Sequence, residues 1–276
     1  GDYSLRNMDK TGFKLILDEE NREITEMDET QAYHELHPDA VYMHEGALYE
    51  VLNLDLERKT ATAKPFEGNY YTVPEGTEEI RILQTFEEKM AERAKVHFGD
   101  INVDEVILGY KKLQFHNHQN LGFGTLRQPL EKDYDTESAW IDIPEDVVRV
   151  YRRLLIPNKA GELVLNNHFD GMENAIKNAA MMVTMTERDD IDTGMSNNAT
   201  VPGYVSLESG ESEENEVVSL FIYDKYEGGL GYSEKIYELI SEVIDHAIQM
   251  VKGCSCEDGC PACVGDYTLS KKMVLW

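Results

Sequence analysis

Hydrophobic and polar positions alternate in short runs over the first 85 residues, where no helical period stands out. The runs that predict strands cover residues 13–17, 41–44, 48–54, 60–63 and 70–73, and a Glu45-Gly46 turn makes a hairpin of the second and third. The segment 74–76, which begins with a proline, is expected to lead out of this region. Strands this short leave exposed edges unless the sheet closes on itself, so residues 1–85 predict a small β-barrel-like domain.

From residue 86 onwards the pattern becomes mixed. Strand-like segments at 103–115, 121–126 and 136–143 precede a helix at 145–155. Apolar residues at spacings of three and four predict amphipathic helices over 171–184 and 236–251. Between them, the nearly continuous apolar run 217–223 is typical of a strand buried on both faces, and 187–216 predicts a long loop. The chain is therefore predicted to be α+β, with a mixed α/β domain over residues 86–276.

The balance of charge narrows the classes of function. The 276 residues contain 26 Lys and Arg against 53 Asp and Glu, a formal net charge of −27. Such a surface repels phosphate backbones, so DNA binding by this chain alone is disfavoured. No apolar run approaches the roughly 18–20 residues that a membrane-spanning helix needs, and no secretory signal is visible. Because the sequence opens Gly1-Asp2-Tyr3 without an initiator methionine, we expect an excised piece of a longer protein.

All four cysteines fall near the C-terminus, in the spacing Cys254-x-Cys256-x3-Cys260-x2-Cys263. Four thiolates satisfy the tetrahedral preference of Zn²⁺ with no open position, which is the chemistry of a structural site. An iron–sulfur cluster is the alternative, because Cys260-Pro261 resembles the end of a ferredoxin run, although the C-x-C start favours zinc. Four unrelated buried thiols are a third interpretation. Cysteines clustered in this way indicate a reducing compartment, so we expect a cytoplasmic protein that closes its C-terminal domain with zinc.

A glycine-rich segment, 228–231, lies between the apolar run and the second helix. It is interpreted either as a phosphate-binding loop or as a tight turn that needs positive φ, and the second interpretation is favoured because no full G-x-G-x-x-G is present. No G-x-x-x-x-G-K-[ST] occurs anywhere, so this chain is not expected to hydrolyse ATP.

Histidine pairs and one acidic segment give weaker signals. His34 and His37 are interpreted as a surface or turn feature, since Pro38 ends any helix at once. His116 and His118 would share one face of a strand, but no third metal ligand is obvious. The carboxylates in 187–194 suit a cation or a basic partner, and are interpreted more simply as a solvated loop.

The residues taken together resemble a known family. The run Tyr223-Asp-Lys-Tyr-Glu-Gly-Gly-Leu-Gly-Tyr-Ser-Glu, the helix after it and the four-cysteine spacing are similar to the C-terminal zinc-binding domain of DEAD/DEAH-box helicases of the mitomycin-repair-factor-A family. Further similar blocks are residues 33–46, 136–141, 171–175 and 190–194, the last with Thr193 where the family commonly has glycine. This resemblance implies superfamily 2 enzymes that move 3′ to 5′ on single-stranded DNA in DNA repair, with Cys254, Cys256, Cys260 and Cys263 as zinc ligands.

The resemblance implies a non-catalytic C-terminal region, because the family's Walker A lysine, acid box and arginine finger have no counterpart here. Such a region would pack on the motor domains of its parent chain and help to shape the path of single-stranded DNA. Candidate DNA contacts are Lys111, Lys112, Arg152, Arg153, Tyr226 and Tyr232. The alternative is a zinc-stabilised interaction module that binds a repair or restriction protein through the acidic loop 208–216.

Overall fold

The computed structural model describes residues 12–153, 155–157, 163–165, 168–197, 217–257, 259–260, 262–265 and 271–275. Two units divide the chain. The first takes the sequence up to Thr77 together with Glu105–Lys132, and the second takes Glu78–Asp104 together with the chain from Asp133 onwards. The units therefore interleave in the sequence, whereas the predicted domains meet at one boundary, between residues 85 and 86.

The first unit is built on a five-stranded sheet in the order β2-β1-β5-β4-β3. Its strands are β1 (Phe13–Leu17), β2 (Arg22–Met27), β3 (Val41–His44), β4 (Ala47–Asp55) and β5 (Thr60–Pro65). Strand β1 runs parallel to β5, and the other pairings are antiparallel. The predicted hairpin is confirmed: Glu45 and Gly46 have φ values of 49° and 80°, as a two-residue turn between antiparallel strands requires.

Two elements of this unit, strand β2 and a helix, were not predicted. Helix α1 (Glu29–Glu35) begins at Asp28, whose side chain accepts a hydrogen bond of 2.8 Å from the backbone N–H of Gln31. It packs Ala32 and Leu36, both fully buried, into the core of the first unit. A helix of two turns leaves too few apolar repeats for a sequence period to show.

Three long strands, β6 (Tyr70–Ala91), β7 (Ala94–Gln114) and β8 (Asn120–Asp142), each have residues in both units. The strand predicted over 70–73 continues through 74–76 as part of β6, and the leading stretch of the first unit ends at Thr77, directly after this segment. Pro74 is tolerated because β6 is the edge strand of its sheet, where a missing N–H costs no ladder hydrogen bond. Gly76 is required because a Cβ there would overlap the backbone carbonyl of Val106.

The second unit has a sheet in the order β11-β12-β8-β7-β6, completed by β11 (Ile191–Asn197) and β12 (Val218–Asp224). Its other elements are helices α2 (Glu145–Arg153), α3 (His168–Thr184), α4 (Tyr232–Glu238), α5 (Ile240–Gly253) and α6 (Lys271–Leu275), and a small ladder of β9 (Leu155–Pro157) with β10 (Leu163–Leu165). All seven residues of β12 are buried, as the apolar run predicted.

Two predictions for this unit need correction. The segment predicted as a loop from 187 to 216 contains β11, which pairs with β12 along its whole length. The single helix predicted over 236–251 is divided at Leu239, whose φ and ψ of −99° and 18° interrupt the α-helical path. The α+β class is confirmed. Within the part of the chain that the structure describes, no helix combines the length and apolar character needed to cross a membrane.

Candidate metal centre

The four thiols converge directly after α5. The Sγ atoms of Cys254 and Cys260 lie 3.5 Å apart, those of Cys256 and Cys263 lie 3.6 Å apart, and all four lie within 4.8 Å of one another. A tetrahedron with Zn–S distances of about 2.3 Å has edges of about 3.8 Å, so the cluster already has the size of a Zn²⁺ site. The separations are far beyond the roughly 2.05 Å of a disulfide. The donor set therefore fits a zinc ion held by four thiolates.

A single carbonyl shapes the second half of the cluster. The backbone N–H groups of Cys263, Val264 and Gly265 all point to the carbonyl oxygen of Cys260, at 3.1–3.2 Å. Gly265 has φ of 95°, a conformation that glycine adopts at no steric cost. This turn places Cys263 back beside Cys260, with 3.8 Å between their sulfur atoms.

Two polar side chains from other helices hold the loop. Lys271 of α6 donates from Nζ to the carbonyl oxygens of Cys254 and Cys256, at 2.8 and 3.1 Å. Asn174 of α3 donates from Nδ2 to the carbonyl oxygen of Cys263, at 3.1 Å. Four thiolates around one Zn²⁺ would carry a net charge of −2, and the Lys271 ammonium group beside them would offset part of that charge. Hydrogen-bonding partners of this kind also orient metal ligands.

The thiols differ in acidity. Hydrogen bonds, first from the backbone N–H of Cys256 and then from the neighbouring thiols, lower the pKa of Cys254 to about 7. Removal from water and the neighbouring thiols raise the pKa of Cys256 to about 12. Cys254 therefore ionises more readily than a free thiol, whereas ionisation of Cys256 is unfavourable. A bound divalent cation would stabilise the thiolate form of both.

The glycine-rich segment closes on an internal carboxylate. Asp224, which is fully buried at the end of β12, accepts hydrogen bonds from the backbone N–H groups of Leu230, Tyr232 and Ser233 at 2.6, 3.3 and 2.9 Å. The Ser233 hydroxyl donates to the same carboxylate at 2.6 Å. Three glycines of the turn, Gly228, Gly229 and Gly231, have positive φ. The tight-turn interpretation is confirmed, because the N–H groups that would bind a phosphate are already used.

The six predicted DNA contacts are divided between the two units, two in the first and four in the second. Lys111 and Lys112 lie in the first unit, where Lys111 pairs with Glu75 at 3.1 Å. Arg152 and Arg153 end helix α2, but their side chains lie outside the described part of the structure. Tyr226 is half-buried, and its carbonyl oxygen accepts from Thr136. Tyr232 packs against the core of the second unit, which raises the pKa of its hydroxyl. The acidic loop 208–216 also lies outside the described residues.

The histidines behave differently from their predicted roles. His34 and His37 are buried, which corrects the prediction of a surface feature. Nε2 of His34 lies 2.6 Å from a carboxylate oxygen of Glu105, and His37 donates from Nδ1 to the carbonyl of Pro38. His118 is in a turn with φ of 54° and not on a strand face, so the predicted strand-borne pair is wrong.

Carboxylates of the acidic segment 187–194 accept hydrogen bonds from other groups of the second unit. Asp190 accepts from the N–H of Glu187 at 2.7 Å, and Asp192 accepts from Nζ of Lys177 at 2.9 Å. Glu173 of α3 lies close enough to Asp192 to feel its charge, and its pKa rises to about 7 through burial and through the charges of Asp170 and Asp192. Sequence reasoning missed Glu173, whose position on an amphipathic helix carries no signal of burial.

Comparison with known proteins identifies the class of domain to which the cysteine cluster belongs. A family model described as the MrfA Zn-binding domain matches residues 172–264, a range that holds all four thiols. The family match and the clustered thiols together identify zinc as the metal of this domain. The prediction of zinc is confirmed.

The relatives are longer proteins. The chain is 29% identical over 247 residues to a Bacillus subtilis protein named as the uncharacterized ATP-dependent helicase YprA, covering 88% of this chain and 29% of the relative. It is 22% identical over 273 residues to the ATP-dependent helicase HRQ1 of Saccharomyces cerevisiae, covering 95% of this chain and 24% of the relative. The crystal structure of the DUF1998 helicase MrfA shares its fold, with a TM-score of 0.68, 22% identity and coverage of 97% of this chain and 34% of that one. The resemblance predicted from the sequence is confirmed, and the chain spans about a quarter to a third of the length of these proteins.

Proposed function

We propose that this chain is the non-catalytic C-terminal region of a cytoplasmic, ATP-dependent 3′-to-5′ DNA helicase that acts in DNA repair. The observation that carries the proposal is the alignment of 88% of the chain with 29% of an ATP-dependent helicase. The match to the zinc-binding domain over 172–264 supports the same assignment. Hydrolysis of ATP would then belong to motor domains elsewhere in the parent chain, since these residues contain no phosphate-binding loop with its lysine.

The work of such a region is mechanical. A zinc site closed by four thiolates offers no position to a substrate, so its contribution is to hold α5 and the following loop in one arrangement. With a net charge of −27, the region makes few and local phosphate contacts, and the electrostatic affinity for DNA comes from the motor. The region packs on that motor and provides part of the wall along which one DNA strand passes.

The test compares the full-length parent enzyme with a form that lacks this region and with Cys260→Ser. Strand separation on a duplex with a single-stranded tail and DNA-stimulated ATP hydrolysis are measured side by side. We expect both changes to reduce strand separation far more than they reduce ATP hydrolysis. Unwinding that survives truncation, together with lost binding to another protein, would support the alternative of an interaction module. DNA-stimulated ATP hydrolysis by the 276-residue chain alone would contradict the proposal.

A further inference from the structure

One segment of this acidic chain carries no carboxylate. Residues 106–130 contain no Asp or Glu, although 53 in 276 residues would put about five in a segment of this length. The same segment contains Lys111, Lys112 and Arg127. With histidines neutral it carries a charge of +3, which leaves −30 for the rest of the chain. An anionic partner is therefore repelled by the remainder of the molecule and tolerated here.

The segment folds as the hairpin between β7 and β8. The turn is closed by hydrogen bonds of 2.9 Å from the N–H of Gln114 to the carbonyl of Gln119 and from the N–H of His118 to the carbonyl of Gln114. A third bond, of 3.0 Å, joins the N–H of Phe115 to the carbonyl of Asn69, at the residue before β6. The tip is thus fixed at three points.

Aromatic rings gather around this tip. Tyr71 lies 5.2 Å from Phe115, centroid to centroid, and its hydroxyl is 2.7 Å from Nδ1 of His118. Tyr70 lies 5.1 Å from Phe66, and the ammonium group of Lys112 lies 5.3 Å from the centroid of the Tyr70 ring. Phe123, four residues into β8, is 70% exposed. Tyr70 and Tyr71 are consecutive in β6, so the rings form two groups on opposite faces of the hairpin tip, one with Phe66 and Lys112 and one with Phe115 and His118. We call these residues, together with the exposed Phe123, the hairpin-tip surface.

We infer that the hairpin-tip surface binds unpaired nucleotides by stacking their bases on its aromatic rings. Ordered rings with a lysine ammonium group beside them are what a single strand needs, because every unpaired base offers a π-face and every phosphate a charge. The acidic residues next to this surface in the sequence are Glu67 and Glu75, and Glu75 pairs with Lys111. A duplex hides the faces of its bases and cannot use such a surface. The inference rests on the proposed function and adds the place where the strand touches this region. Residues next to the rings in the sequence, among them Gln114, Asn117 and Asn120, are polar. A purely apolar protein partner would have to desolvate these side chains, which disfavours such a partner.

The test uses the zinc-loaded chain and a short oligodeoxythymidylate that contains 5-iododeoxyuridine, which forms a photochemical cross-link to a stacked aromatic side chain. An ionic strength of 0.1 M suits the assay, because screening over roughly 10 Å mutes the repulsion by the acidic surface and leaves contacts at stacking distance intact. We expect cross-linked peptides from residues 115–123. Phe123→Ala should lower the yield at least fivefold, the loss that about 1 kcal/mol of stacking per base implies.

The controls separate stacking from charge and from general stickiness. Met185→Ala removes an apolar side chain of the second unit that is even more exposed, at 86%, and should leave the yield unchanged. Phe123→Trp should retain the yield, and its indole fluorescence should be quenched by the thymidine oligomer. An abasic oligomer of equal charge, or a blunt duplex, should compete poorly.

Cross-links that map elsewhere, no cross-link at all, a full yield in Phe123→Ala, or equal competition by the abasic oligomer would each overturn the inference. The proposed function fails separately. If truncation of the whole region impairs unwinding by the parent enzyme while Phe123→Ala does not, only the hairpin-tip inference is lost.

Discussion

At the scale of single residues, the second unit depends on carboxylates that the sequence presents as ordinary acidic positions. The carboxylate of Asp224 lies at the start of α4, where a bound anion could otherwise lie. It accepts hydrogen bonds from three backbone N–H groups and one hydroxyl. A buried carboxylate with four donors is favourable, whereas the same donors without it would be unsatisfied. The glycine-rich turn is therefore held by its own chain.

Asp224→Asn should destabilise the second unit by about 2–4 kcal/mol, because an amide has one acceptor oxygen and turns a donor group towards backbone N–H groups. Urea unfolding followed by circular dichroism measures the change. Asp245→Asn is the matched control, since Asp245 is exposed on α5. Equal stability of the two variants would show that the four hydrogen bonds contribute nothing.

Glu173 gives a prediction about pH. Its pKa in the folded protein is about 7 against an ordinary value of 4.5, so the folded state takes up the proton more readily than the unfolded state. The ionised carboxylate therefore costs the fold about 3 kcal/mol above pH 7, and this cost disappears as the pH falls towards 4.5. Glu173→Gln should raise the free energy of unfolding at pH 8 by about 1–3 kcal/mol and change it little at pH 5. Glu242→Gln, at an exposed position of α5, should show no such pH dependence.

At the scale of elements, local patterns were sufficient where an element is determined by its own residues. The apolar run gave β12, the spacing of Met172, Ile176 and Ala180 gave α3, and the cysteine spacing gave the thiol cluster. Prediction failed where neighbours decide. Pro74 and Gly76 look like the end of a strand, yet β6 continues because it is an edge strand of its sheet among the described residues and because its side facing β7 needs a residue without Cβ at position 76.

The same distinction applies to the site. The ligands are visible in the sequence because a metal loop is a short segment, but Lys271 and Asn174 reach it from helices whose packing no local pattern reveals. The carboxylate of Asp224 likewise accepts hydrogen bonds from backbone N–H groups six to nine residues later in the chain. Nothing in the sequence distinguishes this residue from a solvent-exposed aspartate.

Replacement of Cys260 by Ser tests the loop as an element. Cys260 supplies both a thiol and the carbonyl oxygen that accepts hydrogen bonds from three N–H groups. Only the thiol is lost in the variant. We expect about one zinc per chain in the unaltered protein, much less in the variant, and a fall of about 5 °C or more in the thermal transition of the second unit. Elemental analysis and calorimetry provide the two measurements. Iron in place of zinc, or an unchanged transition, would contradict the assignment.

At the scale of the whole molecule, the first unit is completed by residues far along the chain. Ile107, Tyr110, Leu126 and Leu130, from the ends of β7 and β8, are buried in its core beside residues of β1, β4 and β5. A fragment that ends at residue 85 lacks all four of these side chains. The core of the first unit is therefore assembled from two separate stretches of sequence.

We expect a fragment of residues 1–85 to show no cooperative unfolding, because its core would lose several buried side chains at about 1.5–3 kcal/mol each. A single chain in which a short glycine-containing turn joins Thr77 to Glu105 and which ends at Lys132 should unfold cooperatively. The short connection is possible because Gly76 lies against the backbone of Val106. Thermal unfolding followed by circular dichroism compares the two, and cooperative unfolding of the 1–85 fragment would support a domain boundary near residue 85.

The long strand β7 also constrains how this sequence can change in length. Ile101 and Val103 are buried in the second unit and Ile107 in the first, all at odd positions of one continuous strand whose side chains alternate in direction. An insertion of one residue between Val103 and Ile107 would turn every later side chain of the strand to the opposite face, unless a bulge absorbed it. Insertions and deletions in this strand should therefore be rare in related sequences, or come in twos, or bring a bulge with them, whereas the turn between β6 and β7 lies outside this constraint.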